Sequence, residues 1–175
     1  MAEFDWPWQY NFPPFFTLQP NLATREKQLE AWRHLILEYH RAHKMHTLDI
    51  TEAQNSPLFY NKSLKRKLSV ETIFVVLEDL RKRGHLEWLD KQHQRCYVYW
   101  RTLEEWGKLI YKWASKNGMV NTVCTLYELT NGDDTRDEEF HGLEMDVLKK
   151  ALQALENEGR AELIFFDENE GVKFF

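Results

Sequence analysis

Residues that could bind a metal ion or act in catalysis are few in this sequence. His40, His43 and His46 stand three residues apart, and on a helix this spacing would place His40 and His43 on one face. A zinc site needs four ligands, and no other Cys or His pair has a spacing typical of such a site. A polar helix end that runs into a loop explains the same pattern, so we expect no metal site here.

The motifs of nucleophilic, phosphate-binding and metalloprotease sites are absent. The sequence contains no G-x-S-x-G, no H-E-x-x-H and no glycine loop of the kind that cradles phosphate. The acidic residues of segment 133–139 have no basic or metal-ligand partners in a recognisable pattern, so a solvated loop is the simplest interpretation. We therefore expect a protein that is not an enzyme and that uses no cofactor.

The first twenty residues have the chemistry of an apolar docking segment. Large aromatic side chains alternate there with prolines, which keep a chain extended and out of a helix. Such side chains either pack onto the chain's own core or dock into an apolar groove of another protein. Because each half of the chain has its own set of core residues, we predict a docking arm over residues 1–22; a WW-domain ligand is a minor alternative. The aromatic residues are Phe4, Trp6, Trp8, Tyr10, Phe12, Phe15 and Phe16, and the prolines are Pro7, Pro13 and Pro14.

Two segments of the chain repeat each other. At a shift of about 75 positions the apolar and glycine positions of the two halves coincide, which predicts two copies of one structural unit. The coinciding pairs are Trp32 with Trp106, Leu77 with Leu152, Leu80 with Leu155, and Gly84 with Gly159.

Each copy has the same order of predicted elements, namely three helices followed by two short strands. Apolar residues at 3–4 spacing and N-cap residues such as Ser69 and Thr102 predict the helices, and glycine positions predict their ends. The resulting α+β fold consists of two tandem winged-helix domains, residues 23–101 and 102–175. The predicted helices lie at 24–44, 56–68 and from 70 to 83 in the first copy, and at 103–117, 126–129 and 144–158 in the second. The predicted strands lie at 85–89, 96–100, 161–166 and 172–175.

Charge argues against a role in binding nucleic acid. The chain has a net charge of −5, which divides into +2 for residues 1–100 and −7 for residues 101–175. A winged helix that reads DNA presents basic and amide side chains on its third helix, and an acidic half is repelled by phosphate. We therefore keep a winged-helix DNA-binding transcriptional protein only as the alternative function.

The two cysteines, Cys96 and Cys124, suit a reducing compartment, and the acidic N-terminus is unlike a signal peptide. We therefore expect a cytoplasmic protein.

Several long, aromatic-rich segments resemble the small tandem winged-helix subunit of the endosomal sorting complex ESCRT-II. The resemblance extends over essentially the whole chain, in order. The segments that carry it are residues 7–21, 56–59, 87–91, 104–111, 125–132 and 171–175.

The resemblance implies a non-enzymatic adaptor. In this family, two copies join one copy each of two other winged-helix subunits in a hetero-tetramer, and the second domain binds the first ESCRT-III subunit. The complex sorts ubiquitinated cargo into multivesicular endosomes. The resemblance therefore implies a cytoplasmic protein that is recruited to the endosomal membrane and contacts the membrane only indirectly.

The family's partner-docking residues correspond to positions in the N-terminal segment and to one arginine. Trp8 stands where the family's first element has a proline, and Phe16 stands where its second element has a tyrosine, which removes a hydroxyl but keeps apolar docking. Arg66 matches the docking arginine, although the sequence alone favours a solvated face formed with Lys62, Lys65 and Lys67. The implied docking residues are Pro7, Tyr10, Pro13, Pro14, Phe15, Phe16 and Arg66.

The acidic second half suggests where the ESCRT-III subunit binds. A net charge of −7 complements a basic helical partner. We therefore expect the acidic loop and the start of the last helix to receive that helix. The residues of this predicted surface are Asp133, Asp137, Glu138, Glu139, Glu144 and Asp146.

Overall fold

The computed structural model describes residues 3–175, which divide into two units. The first unit ends at Trp100 and the second runs from Arg101 to Phe175, so the division falls one residue before the predicted boundary. Among these described residues, each unit contains three α-helices and a three-stranded antiparallel sheet, which is the winged-helix arrangement. The predicted α+β fold of two tandem winged helices is therefore confirmed.

The first unit combines its helices with a small sheet of strand order β1–β5–β4. A separate two-stranded hairpin, β2–β3, lies between its second and third helices. The helices are α1 (Leu22–His43), α2 (Ile50–Ala53) and α3 (Val70–Lys82). The strands are β1 (Thr47–Asp49), β2 (Tyr60–Asn61), β3 (Arg66–Lys67), β4 (Leu86–Trp88) and β5 (Arg95–Val98).

Local sequence signals set the ends of the two long helices. The Asn21 side chain accepts a hydrogen bond from the Thr24 N–H at 3.0 Å, and the Ser69 hydroxyl accepts one from the Thr72 N–H at 3.2 Å. Both contacts satisfy backbone donors that the first helical turn leaves open. Gly84 follows α3 with φ of 83°, the left-handed conformation that glycine adopts most readily. The predicted first and third helices are thus confirmed.

The predicted second helix over residues 56–68 is wrong. Ser56 and Pro57 follow the end of α2 and do not begin a helix, because the Ser56 hydroxyl donates to the backbone oxygen of Ala53 at 2.8 Å. The chain then turns into the β2–β3 hairpin, in which Asn61 lies opposite Arg66.

The second unit repeats this plan with the strand order β6–β8–β7. Its first helix begins with the predicted capping box, in which Thr102 and Glu105 exchange side-chain to backbone hydrogen bonds at 3.1 and 3.2 Å. The helices are α4 (Leu103–Lys116), α5 (Leu126–Asn131) and α6 (Met145–Asn157). The strands are β6 (Val123–Thr125), β7 (Ala161–Phe166) and β8 (Asn169–Phe174).

The short strands β1 and β6 were not predicted from the sequence. Each has three residues, and each pairs with the second strand of its unit's hairpin, Leu48 opposite Cys96 and Cys124 opposite Val172. Their pairing partners lie about fifty residues further along the chain, so local periodicity does not reveal them.

The two cores are built around tryptophans at corresponding positions. Trp32 in α1 and Trp106 in α4 are both fully buried, which explains why the sequence repeat includes them. Within residues 3–175, no helix combines the length and the apolar composition that a bilayer crossing requires.

Candidate partner-binding surfaces

The N-terminal aromatic segment is folded onto the first unit. It forms two short 3₁₀ turns, Trp8–Asn11 and Pro13–Phe16, and it belongs to the same unit as α1. Tyr10, Phe15 and Phe16 are each at most 8% exposed and form part of that unit's core. The expectation of an extended arm is therefore wrong for these residues, and packing onto the chain's own core is what the structure shows. Met1 and Ala2 of the predicted arm lie outside the described residues.

Phe15 is the centre of this packing. Its ring stacks on that of Trp32 with ring centroids 4.2 Å apart and an interplanar angle of 1°. The Trp32 indole N–H donates to the Phe15 backbone oxygen at 2.9 Å, and the Gln28 amide donates to the same oxygen at 2.9 Å. Because these polar partners are themselves buried, detaching the segment would leave an indole N–H and an amide without acceptors. The segment is thus held by both apolar contact and hydrogen bonds.

Ring stacking and hydrogen bonds both hold Tyr10 in the first unit. Its ring stacks on Trp6 with centroids 3.9 Å apart, and its hydroxyl donates to the backbone oxygen of Pro57. The Asn61 amide donates to the Tyr10 backbone oxygen at 2.8 Å, which joins the segment to the β2–β3 hairpin. Burial raises the pKa of Tyr10 above its ordinary value, so the hydroxyl stays protonated and remains a donor. Tyr10 therefore acts as an internal anchor in this unit.

The outward face of the segment is where a partner could bind. Trp8 is 70% exposed and Phe12 is 49% exposed, with ring centroids 5.8 Å apart. Pro13 and Pro14, two of the predicted docking residues, are exposed beside them, and Pro7 is half-buried. We call Trp8, Phe12, Pro13 and Pro14 the aromatic patch.

Trp8 and Phe12 belong to the predicted docking arm, but the docking residues implied by the family resemblance do not include them. Their types and positions match those of their neighbours, and only the 3₁₀ turns decide which rings face the core. One sequence feature distinguishes Trp8 from its neighbours, because it replaces a proline of the family pattern.

Arg66, the remaining predicted docking residue, is exposed on β3. This strand lies against the second 3₁₀ turn, so Arg66 belongs to the same region of the first unit as the aromatic patch. The neighbouring Lys62, Lys65 and Lys67 are also exposed. Apolar and cationic groups thus adjoin on this side of the unit.

The predicted acidic surface of the second unit divides into paired and unpaired carboxylates. Asp133 forms an ion pair with Arg136, and Glu139 forms one with Arg101 at 2.8 Å. Asp137 is exposed and has no cationic partner within residues 3–175.

Buried side chains hold this loop in place. Phe140 is 1% exposed and meets Trp113 edge to face at 6.0 Å, while the buried Thr135 hydroxyl donates to the Leu129 backbone oxygen at 2.8 Å. Glu138 is exposed, and in the described part of the chain no basic side chain pairs with it. The buried Thr135 and Phe140 thus hold the loop in place, and Asp137 and Glu138 are exposed between them.

The two acidic residues near the start of α6 differ from those of the loop. Glu144 is half-buried, and burial together with the charge of Asp146 raises the pKa of Glu144 above its ordinary value. Asp146 is exposed in the first helical turn, where a negative charge is favourable. Both extend the acidic surface from the loop to the helix.

Burial governs the chemistry of His40 and Cys96. Burial lowers the pKa of His40 to about 4, and its Nδ1 lies 2.8 Å from the Ile36 backbone oxygen. Burial raises the pKa of the Cys96 thiol to about 12, which keeps it protonated and unreactive at neutral pH. In residues 3–175, no three His, Cys, Asp or Glu side chains are grouped as metal ligands.

Comparison with known proteins yields one consistent group. The family model described as ESCRT-II complex subunit matches residues 9–144. Vacuolar protein-sorting-associated protein 25 of Danio rerio is 66% identical over 172 residues, covering 98% of this chain and 99% of the relative. A crystal structure of subunit VPS25 of the endosomal trafficking complex ESCRT-II is similar, with a TM-score of 0.80 and 29% identity, covering 95% of this chain and 97% of that one. A chain in the crystal structure of endosomal complex ESCRT-II (VPS22/VPS25/VPS36) has a TM-score of 0.77 and 30% identity, covering 97% of this chain and 98% of that one.

Proposed function

This chain belongs to the family of ESCRT-II complex subunits, and we propose that it is the non-enzymatic subunit that joins two other winged-helix subunits of that complex. A related crystal structure contains VPS22, VPS25 and VPS36, which supports partners of the same kind for this chain. This chain covers 98% of the matched chain in that structure, which supports the same assembly here. As the family resemblance implies, we propose that two copies of this subunit take part in a hetero-tetramer.

The observation that carries the docking proposal is the exposure of the aromatic patch on a segment that is otherwise well packed. Trp8 and Phe12 remain exposed although the rings next to them are buried. Tryptophan and arginine dominate binding energies at interfaces, especially where the surrounding contacts exclude water. The segment also changes little on binding, because its turns are already formed on α1, so the entropy cost of docking is small. Arg66 on β3 supplies a charged contact next to this apolar centre.

The docking proposal is tested with the full chain and the two co-expressed partner subunits. Trp8→Ala with Phe12→Ala should weaken binding by about 2 kcal/mol or more, roughly thirtyfold in dissociation constant by calorimetry. Tyr127→Ala with Phe165→Ala removes similarly exposed rings from the second unit and should leave this affinity unchanged. Equal losses for both pairs, or unchanged affinity for the first pair, would contradict the proposal.

We further propose that the second unit recruits an ESCRT-III subunit through its acidic surface. Asp137 and Glu138 carry this role because their charges are not neutralised within the unit, whereas Asp133 and Glu139 already pair with arginines. A basic helix of the partner would gain charge complementarity that steers association and sets orientation. Recruitment would occur at the endosomal membrane, during the sorting of ubiquitinated cargo into multivesicular bodies. Membrane attachment would come from the other subunits.

Charge reversal tests this second contact. Asp137→Lys with Glu138→Lys should weaken binding of the ESCRT-III subunit by about tenfold at low ionic strength and flatten the salt dependence. Glu158→Lys with Glu168→Lys makes the same change in net charge at exposed positions outside the acidic surface. This control should reduce affinity far less. If the two double variants bind equally, the net charge of the unit matters and the loop does not.

A further inference from the structure

The serines of this chain differ in how accessible their hydroxyls are. Ser56 donates to the Ala53 backbone oxygen, and Ser69 is engaged as the N-cap of α3. Ser115 lies within the last turn of α4, where the helical backbone keeps it away from an extended conformation. Ser63 is exposed in a turn, and in the structure of residues 3–175 its hydroxyl has no hydrogen-bond partner.

Ser63 occupies the tip of the β2–β3 hairpin. The Lys65 N–H donates to the Lys62 backbone oxygen at 3.2 Å, which closes a β-turn with Ser63 and Leu64 at its centre. The strands on either side have two residues each, so little backbone pairing holds the turn closed. Opening the tip for an enzyme breaks the turn bond and the hydrogen bond from the Leu64 N–H to the Asn61 side chain at 3.2 Å, which costs less than opening a helix or a core strand.

The charges around Ser63 are all of one sign. The exposed cationic residues of the hairpin are Lys62, Lys65, Arg66 and Lys67. The acidic residues nearest to Ser63 in the sequence are Glu52 and Glu71. Lys67 donates to the Asn55 side chain at 2.8 Å. Across the described residues, no carboxylate pairs with Lys62, Lys65 or Arg66. This basic hairpin, residues 62–67, therefore offers cations both to a kinase with an acidic substrate groove and to a bound phosphate.

We propose that Ser63 is a phosphorylation site for a serine/threonine kinase that recognises basic residues, and that the phosphate weakens docking through Arg66. The second part rests on the proposed function. In the reaction, the Ser63 Oγ attacks the γ-phosphorus of magnesium-bound ATP, and the bond from that phosphorus to the β,γ-bridging oxygen breaks. The hydroxyl proton passes to the kinase's catalytic base, and ADP leaves with the bridging oxygen. No oxidant or reductant takes part.

The phosphate acts by changing the charge of the hairpin. It adds about −1.5 to −2 charges at neutral pH, so the basic hairpin falls from four positive charges to a net of about +2. Lys62 and Lys65 flank Ser63 at the ends of one β-turn, and Arg66 follows directly. A phosphate on Ser63 would pair with these side chains, because guanidinium and ammonium groups bind phosphate oxygens strongly. Arg66 would then be unavailable to a carboxylate of the partner.

The site itself is tested by mass spectrometry on the folded full chain. Incubation with the catalytic domain of protein kinase C and magnesium ATP should add one phosphoryl group, which fragmentation should assign to Ser63. Ser63→Ala should abolish the added mass, while Ser115→Ala, at another exposed serine next to a lysine, should keep it. Persistence of the added mass in Ser63→Ala overturns the assignment. So does phosphorylation of Ser63 only after the chain has been unfolded in urea.

The effect on docking is tested with the same phosphorylated chain and the partner subunits. Phosphorylation should raise the dissociation constant by about tenfold, because one charged contact with the partner is lost. Phosphatase treatment should restore the original affinity. Equal affinities of the phosphorylated and unmodified chains overturn the regulatory role. If the unmodified chain does not bind the partners, the proposed function fails, and the mass measurement still decides whether Ser63 is a phosphorylation site.

Discussion

Replacement of Phe15 by alanine tests whether the N-terminal segment is part of the first unit's core. The Phe15 side chain is 4% exposed, and its ring stacks on that of Trp32 with centroids 4.2 Å apart. The backbone oxygen of Phe15 accepts two buried hydrogen bonds, from Gln28 and Trp32. Phenylalanine to alanine changes in cores cost about 3–5 kcal/mol, which includes lost transfer free energy and the cavity that remains. The segment is near the chain terminus and can relax into part of that cavity, so we expect about 3 kcal/mol.

Hydrogen exchange measured by mass spectrometry resolves this loss within a two-unit chain. Amides of α3 should exchange faster in Phe15→Ala, while amides of α6 in the second unit should keep their rates and serve as an internal reference. Trp8→Ala removes a larger ring from the exposed face of the same segment and should change α3 stability by less than about 0.5 kcal/mol. If the two variants had the same small effect, the segment would be dispensable for the core, and the packing described above would be refuted.

Three further perturbations test other parts of the structure. Burial lowers the pKa of His40 from 6.5 to about 4, so the unfolded chain binds the proton first as the pH falls. His40 alone should therefore cost the first unit about 2–3 kcal/mol of stability between pH 6.5 and 4, in addition to a loss over the same pH range from His46, whose pKa burial also lowers to about 4; His40→Gln should remove only the His40 part, measured in urea titrations repeated at each pH. A Cβ atom at Gly132 would lie 2.5 Å from the Glu128 backbone oxygen; Gly132→Ala should therefore destabilise the second unit by about 1–3 kcal/mol, measured as faster exchange in α5. Glu139→Gln removes an exposed ion pair with Arg101 and should change the stability of that unit by less than about 1 kcal/mol in urea unfolding.

The successes of sequence reasoning were those that depended on short stretches of chain. Ser69 and Thr102 each satisfy backbone N–H groups three residues away, so the signal and its effect lie within one helical turn. Gly84 ends α3 for a similarly local reason, since its backbone conformation is one that other residues adopt with difficulty. The apolar stripes of α1 and α4 also repeat within a few residues.

The predicted helix over residues 56–68 shows how a local signal fails. A serine before a proline is typical of a helix start, but the same hydroxyl can bond backward to the preceding turn, as Ser56 does to Ala53. The apolar residues that follow, Leu64 in the β2–β3 hairpin and Leu68 directly after it, pack on the core without forming a helix. Leu58 and Phe59, which follow Pro57, are both buried in the core of the first unit, and this burial depends on residues distant in sequence.

By itself, the sequence determined that this chain forms two winged helices, where their main helices begin and end, and which half carries the negative charge. It also contained the segments by which the chain resembles its family. Only the tertiary structure decided which aromatic rings face outward. The buried Tyr10, Phe15 and Phe16 and the exposed Trp8 and Phe12 are all large aromatic residues of one short segment, so residue type does not separate them. The same holds for the acidic loop, where Arg101 neutralises Glu139 and leaves Asp137 unpaired. Exposure and pairing depend on residues distant in sequence that folding brings together, and no local pattern records them.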